Sequence, residues 1–81
     1  MSDKIIPTQN LVQELMKEYD VSLDELAKNS GMELSDVQNF IYGKSRLYFN
    51  MAIALGKYRY EEHDANWWMN YDIEYRKSLW T

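Results

Sequence analysis

Few side chains in this sequence could support catalysis or bind a metal. His63 is the only histidine, and it lies within a run of carboxylates formed by Glu61, Glu62 and Asp64. Imidazole and carboxylate groups are good metal ligands. Consecutive residues point in different directions around a helix, however, so a solvated turn is the stronger interpretation. Because the chain also lacks cysteine, a glycine-rich phosphate loop and a nucleophile elbow, the sequence predicts no enzyme, no metal site and no cofactor.

Residues 22–44, SLDELAKNSGMELSDVQNFIYGK, have the pattern of two short helices joined by a tight turn. Ser22 can cap the first helix, and Glu25 completes a capping box. Gly31 lies where the chain must turn through a left-handed conformation, and Gly43 ends the second helix. This helix-turn-helix pattern most often carries a DNA-reading surface. The residues expected to pack between the two helices are Leu26, Ala27, Val37, Phe40 and Ile41.

Three further helices are predicted around this motif. The first begins at Pro7 and Thr8, with Thr8 as its cap. Its apolar face consists of Leu11, Val12, Leu15, Met16 and Tyr19. The fourth helix is predicted from about Arg46 to about Tyr60, although Gly56 is an alternative end. The fifth covers about residues 65–79, with Asp64 as its cap.

The fifth predicted helix has two apolar stripes, whereas a helix that packs on one core needs a single stripe. The second stripe is therefore either additional core or a surface that binds a partner. The first stripe consists of Trp67, Trp68, Tyr71, Tyr75 and Leu79, and the second of Met69, Ile73 and Trp80. We expect the second stripe to form a dimer or partner interface.

The charge of the chain limits its affinity for DNA. Its 81 residues form one small domain with a net charge of -4, which is the wrong sign for neutralising phosphates. The distribution is uneven: residues 22–60 contain five basic and four acidic side chains, and residues 61–81 contain two basic and five acidic ones. The acidity is therefore concentrated away from the motif. No segment resembles a secretion signal or a membrane span, so a cytoplasmic location is expected.

The motif resembles the XRE family, the Cro and phage-repressor type of helix-turn-helix, over about residues 8–58. The matching residues are Leu26, Ala27, Gly31, Met32, Val37, Phe40, Gly43 and Lys44, together with the stretch MAIALGK at 51–57. A later segment, WWMNYDIEY at 67–75, is similar to a segment of HigA-type antitoxins. The second similarity implies a toxin partner.

The resemblance implies which residues contact DNA. Family placement directs the side chains of Leu34, Ser35, Gln38 and Asn39 into the major groove. The amides of Gln38 and Asn39 can pair with an adenine edge, and Leu34 can contact a thymine methyl. Phosphate contacts are expected from the basic and polar residues Lys28, Lys44, Ser45 and Arg46.

The sequence thus predicts an all-α domain of five helices, with a helix-turn-helix unit at 1–62 and an aromatic C-terminal helix at 63–81 packed on it. The favoured function is a sequence-specific DNA-binding regulator of phage or toxin–antitoxin type, a homodimer on a palindromic operator. The alternative is an acidic protein-interaction module, such as a phage-encoded inhibitor of a host protein, that keeps the fold without binding DNA. Glu33 and Asp36, in a recognition helix without Lys or Arg, favour the alternative. The intact turn, Gln38 and Asn39 favour DNA binding.

Overall fold

The computed structural model describes residues 5–58 and 62–79. Its five helices are α1 (Thr8–Tyr19), α2 (Leu23–Ser30), α3 (Leu34–Ile41), α4 (Phe49–Gly56) and α5 (Ala65–Ser78). Neither described range contains a strand, and the predicted all-α class of five helices is confirmed. Among these helices, none combines the length and the apolar character that crossing a membrane requires. Helix α2 packs against α3 and α4, and α5 packs against α4 and α1.

Local signals in the sequence explain how α2 and α3 begin and end. The Ser22 hydroxyl accepts a hydrogen bond from the Glu25 N–H at 3.1 Å and caps α2 as predicted. Gly31 has a φ of 65°, which is the left-handed conformation that this turn requires. Gly43, with a φ of 79°, ends α3, and the N–H of Lys44 closes the turn by donating to the Asn39 carbonyl at 2.8 Å.

The core lies at the junction of all five helices. Four of the five members predicted from α2 and α3 are buried, namely Leu26, Ala27, Val37 and Phe40, and α4 contributes the largest group of additional residues. Partly buried side chains, including Met32, Ile41 and Met69, pack against this cluster. The buried apolar residues are Val12, Leu15, Val21, Leu26, Ala27, Val37, Phe40, Leu47, Met51, Ala52, Ala54, Leu55 and Trp68.

The prediction that Thr8 caps α1 is wrong. Pro7 occupies the cap position, and its carbonyl accepts the N–H of Asn10 at 2.9 Å. Thr8 is instead the first helical residue, and its side chain is completely buried. Proline fits the start of a helix because it has no N–H that must be satisfied there and its φ is already helical.

Helix α4 is shorter at its start than the predicted span from Arg46. Tyr48 is extended, with a φ of -89° and a ψ of 148°, so the helix begins at Phe49. Leu47 is buried outside the helix, where its N–H donates to a side chain of α5. At the other end α4 stops at Gly56, the alternative end, and the predicted end at Tyr60 lies outside the described residues.

Helix α5 begins as predicted, but its buried face does not follow either apolar stripe. The Asp64 carboxylate caps the helix by accepting the Trp67 N–H at 2.8 Å. The two buried residues of α5 are Trp68 and Asp72, one turn apart. Ile73 is 48 % exposed, and Trp80 lies outside the described residues. The buried face therefore combines Trp68, a member of the first stripe, with a carboxylate that neither apolar stripe contains.

Candidate nucleic-acid interface

One face of α3 is available for contact with a ligand. Val37 and Phe40 bury the opposite face in the core, and Leu34, Ser35 and Asn39 are exposed, with Gln38 half-buried. These four residues form two pairs spaced by four positions, so they lie side by side on one surface of the helix. Here the structure brings together the four residues for which base contact is expected. We call this surface the α3 face.

Tyr42 extends the α3 face beyond the end of the helix. It lies seven positions after Ser35, which is about two helical turns, and its side chain is 66 % exposed. A phenol at this place can donate a hydrogen bond to a phosphate or to a base edge. Tyr42 is not among the residues for which the family resemblance implies contact with DNA.

Two carboxylates lie at the start of the α3 face. Glu33 precedes α3 and Asp36 lies in its first turn, and both are exposed. The positive end of the helix dipole stabilises negative charge at this position, so both residues favour the helix. They also repel phosphates, and α3 contains no Lys or Arg that would compensate. The four residues of the α3 face itself are all neutral.

Basic side chains follow α3 in the loop of residues 44–48. Lys44 and Arg46 are exposed and Ser45 is half-buried. The Arg46 guanidinium lies 5.9 Å from the centre of the Tyr48 ring, within the range of a cation–π contact. This loop collects three of the four residues for which phosphate contact is expected. The fourth, Lys28, is exposed in the last turn of α2.

A buried polar network joins this loop to α5, and sequence reasoning missed it. The Asp72 carboxylate, in a residue only 3 % exposed, accepts the Leu47 N–H at 3.1 Å and the Arg76 Nε–H at 3.0 Å. Arg76 also donates from Nη2 to the Ser45 carbonyl at 2.7 Å. The spacing of Asp72 and Arg76, four residues apart on one helix, was the available signal. Nothing local indicates that this pair is turned toward the core.

An open groove lies beside this network. Leu47, Met69 and Ile73 give it an apolar floor, and Arg46, Arg76 and Lys77 bring positive charge to it. The groove therefore places Arg46, for which phosphate contact is expected, beside two of the three residues expected at a partner interface. The third, Trp80, lies outside the described residues.

Solved structures with the same architecture contain DNA. Pseudomonas aeruginosa antitoxin HigA with the higBA promoter is similar over 94 % of this chain and 82 % of that chain, with a TM-score of 0.76 and 27 % identity. The chain has the helix-turn-helix fold of HigA antitoxins. A Pseudomonas aeruginosa protein in complex with its 28-base-pair operator DNA has the same coverage and TM-score at 26 % identity. No family model and no curated protein matches the sequence.

In this HigA-like fold, the histidine belongs to an aromatic stack on α5 and its cap. The ring centroids of His63 and Trp67 are 3.6 Å apart, and Trp67 stacks on Tyr71 with a centroid distance of 5.2 Å. Tyr71 donates its hydroxyl hydrogen to the Ile6 carbonyl at 2.8 Å, and burial raises the pKa of Tyr71 above 10. Over residues 5–58 and 62–79, no three His, Asp or Glu side chains are grouped to hold a metal ion. The geometry thus gives His63 a packing role.

Proposed function

We propose that this protein is a DNA-binding regulator of the toxin–antitoxin type and that α3 is its recognition helix. The observation that carries the proposal is that this chain is similar, along nearly its whole length, to two structures that contain DNA. That similarity includes the α2–turn–α3 unit, in which Gly31 sets the turn and three of the four residues of the α3 face are exposed. A major groove is wide enough to accept such a helix.

Bases are read, in this proposal, by neutral groups on the α3 face. Gln38 and Asn39 each present an amide that donates and accepts, which matches the N6 and N7 groups of adenine. Ser35 supplies a hydroxyl, and Leu34, 37 % exposed, contacts a thymine methyl. The absence of Lys and Arg from α3 favours adenine and thymine over guanine, because guanine is most often read by a basic side chain.

Phosphates are bound from both sides of the α3 face. Lys44, Ser45 and Arg46 lie in the loop after α3, and Lys28 lies before the turn that leads into it. Two to four contacts of this kind give a modest electrostatic contribution, since each releases about one counterion. A single copy of a chain with net charge -4 is thus a weak DNA binder.

Dimerisation compensates for the weak binding of one copy. Two α3 helices placed about one DNA turn apart read a palindromic operator, and the two sets of contacts add. Met69 and Ile73 supply apolar surface on α5 for this contact, with Trp80 as a third expected member. The same surface is where a protein partner such as a toxin would bind if the chain is not a homodimer.

The second candidate function is a protein-interaction module that has lost DNA binding. Two observations favour it: the carboxylates of Glu33 and Asp36 at the start of α3, and the apolar floor of the groove beside α5. Selection from a pool of randomised DNA duplexes at low salt distinguishes the two functions. Recovery of a palindromic site with half-sites about one turn apart supports the regulator. A pool that stays random after repeated rounds supports the interaction module.

A further inference from the structure

We propose that Asp72 and Arg76 are positioning residues for DNA binding, because they hold the loop that carries Lys44 and Arg46. Neither residue belongs to the α3 face, and neither is assigned a role by the proposed contacts. The inference rests on the proposed function, since it concerns how phosphate-binding side chains are held. Its geometric part stands without DNA and is measurable separately.

The hydrogen bonds fix the loop at two backbone atoms. Asp72 accepts the N–H of Leu47 at 3.1 Å, and Arg76 donates to the carbonyl of Ser45 at 2.7 Å. Arg46 lies between those two residues, so both of its peptide neighbours are tied to α5. Lys44 lies one residue before Ser45 and is held on its other side by its own N–H bond to the Asn39 carbonyl at the end of α3. The loop therefore has defined attachment points at each end.

The side chains that make these bonds are themselves ordered by a salt bridge. The Asp72 carboxylate and the Arg76 Nε are 3.0 Å apart, and the Asp72 side chain is 5 % exposed against 32 % for Arg76. A carboxylate buried to this degree must be paired and hydrogen-bonded, because an uncompensated buried charge is strongly unfavourable. The guanidinium is also planar and carries several donors, so one Arg can bind Asp72 and Ser45 at once. The arrangement restrains the loop more than a surface ion pair would.

Preorganisation is the physical reason that this restraint affects affinity. A loop that is already ordered loses less conformational entropy when its side chains bind phosphate. If Arg76 is replaced, Lys44 and Arg46 keep their charges but are no longer held in one geometry. Phosphate binding then weakens although no phosphate-binding side chain has changed.

Variants at position 76 separate positioning from direct contact. Arg76→Gln removes the charge and Arg76→Lys keeps it, but neither side chain can bind Asp72 and Ser45 as the guanidinium fork does. Lys77→Gln is the matched control, because it removes one positive charge from the next residue of the same helix. Lys77 is exposed, and its ion pair with Glu74 lies at the surface. Affinity is measured by fluorescence anisotropy on a duplex to which the parent binds, at a temperature where circular dichroism shows every variant folded.

We expect both variants of Arg76 to weaken binding about tenfold and to lower the salt slope by about one contact, with Lys77→Gln close to the parent. Equal losses in Arg76→Gln and Lys77→Gln would overturn the inference, because general charge would then explain them. Near-parent binding by Arg76→Lys would also overturn it, since lysine can replace arginine in a direct phosphate contact.

A double-mutant cycle distinguishes positioning from general destabilisation. In a background that carries Lys44→Ala and Arg46→Ala, Arg76→Gln should have little further effect, because the side chains it positions are gone. Fully additive losses would contradict the inference.

Amide hydrogen exchange without DNA tests the geometric part by itself. The Leu47 N–H should be protected in the parent and should exchange faster in Asp72→Asn and Arg76→Gln. Unchanged protection of Leu47 in both variants contradicts the inference. Failure of the parent to bind any duplex instead contradicts the proposed function, so the two failures are distinguishable.

Discussion

A Cβ atom on Gly56 would lie 2.9 Å from the backbone nitrogen of Ala65. Gly56 is the last residue of α4 and Ala65 is the first of α5, so the two helices meet here with backbone against backbone. The same Cβ would lie 3.1 Å from the carbonyl carbon of Asp64. This close approach places the Asp64 cap and thereby the whole of α5 against α4.

Substituting two glycines by alanine should therefore have unequal effects. We expect Gly56→Ala to destabilise the fold by about 1–3 kcal/mol, because the added methyl meets backbone that cannot move alone. Gly31→Ala is the matched control: its methyl meets nothing within 4 Å, so the cost is the left-handed backbone, about 1 kcal/mol. Urea unfolding measures both. A smaller loss for Gly56→Ala than for Gly31→Ala would show that α4 and α5 do not approach as described.

The elements that the sequence predicted correctly are those specified by neighbouring residues. Ser22 and Asp64 each cap a helix by accepting the N–H of the residue three positions later, and Gly31 sets a turn by its own conformation. The contact between Leu47 and Asp72 joins residues 25 positions apart, and no local pattern indicates it. An Asp is expected in solvent, so its burial between α5 and the loop became visible only in three dimensions. The early start predicted for α4 was wrong because Leu47 is buried without being helical. This burial, too, is visible only in three dimensions.

The stability of the protein at high pH should depend on Tyr71. Burial raises its pKa above the ordinary value of 10, so the folded state favours the neutral phenol. Below about pH 10 both states keep the proton and the contribution of Tyr71 to stability is complete. Above that pH the unfolded chain ionises first, and stability falls as the pH rises toward the folded-state pKa. Urea unfolding of the parent and of Tyr71→Phe should be compared between about pH 8 and about pH 11, on either side of the ordinary phenol pKa. The free energy of unfolding should fall more steeply with pH in the parent. Parallel curves would contradict this account.

Dimer formation should depend on the apolar surface of α5. Ile73→Glu places a carboxylate on a side chain that is 48 % exposed, so the monomer should stay folded. We expect the dimer dissociation constant to rise about tenfold or more, because an unpaired charge is costly to bury at an interface. Asn10→Glu, an equal charge change at an exposed position of α1, is the control and should leave the dimer intact. Sedimentation equilibrium decides the question. A parent that is monomeric at high concentration removes the homodimer from the proposal.

Phosphate binding should depend on the loop after α3. Replacing both Lys44 and Arg46 by Ala should weaken binding to all duplexes alike and reduce the slope of log affinity against log salt by about two. Lys57→Ala together with Lys17→Ala removes the same charge from exposed positions outside the loop and serves as the control. If the control pair lowers the slope as much as the loop pair, the bound phosphates do not lie at the loop.

The most direct test of base reading by the α3 face compares two duplexes, the selected site and a scrambled sequence of the same composition. The parent should prefer the selected site, and the double variant Gln38→Ala with Asn39→Ala should lose about 1–3 kcal/mol of that preference for each amide that pairs with a base. Affinity for the scrambled duplex should stay nearly constant, because phosphate contacts are unchanged. Asn10→Ala, which removes an exposed amide from α1, should behave as the parent. Equal affinity of the parent for both duplexes, or full preference in the double variant, would contradict recognition of DNA by α3.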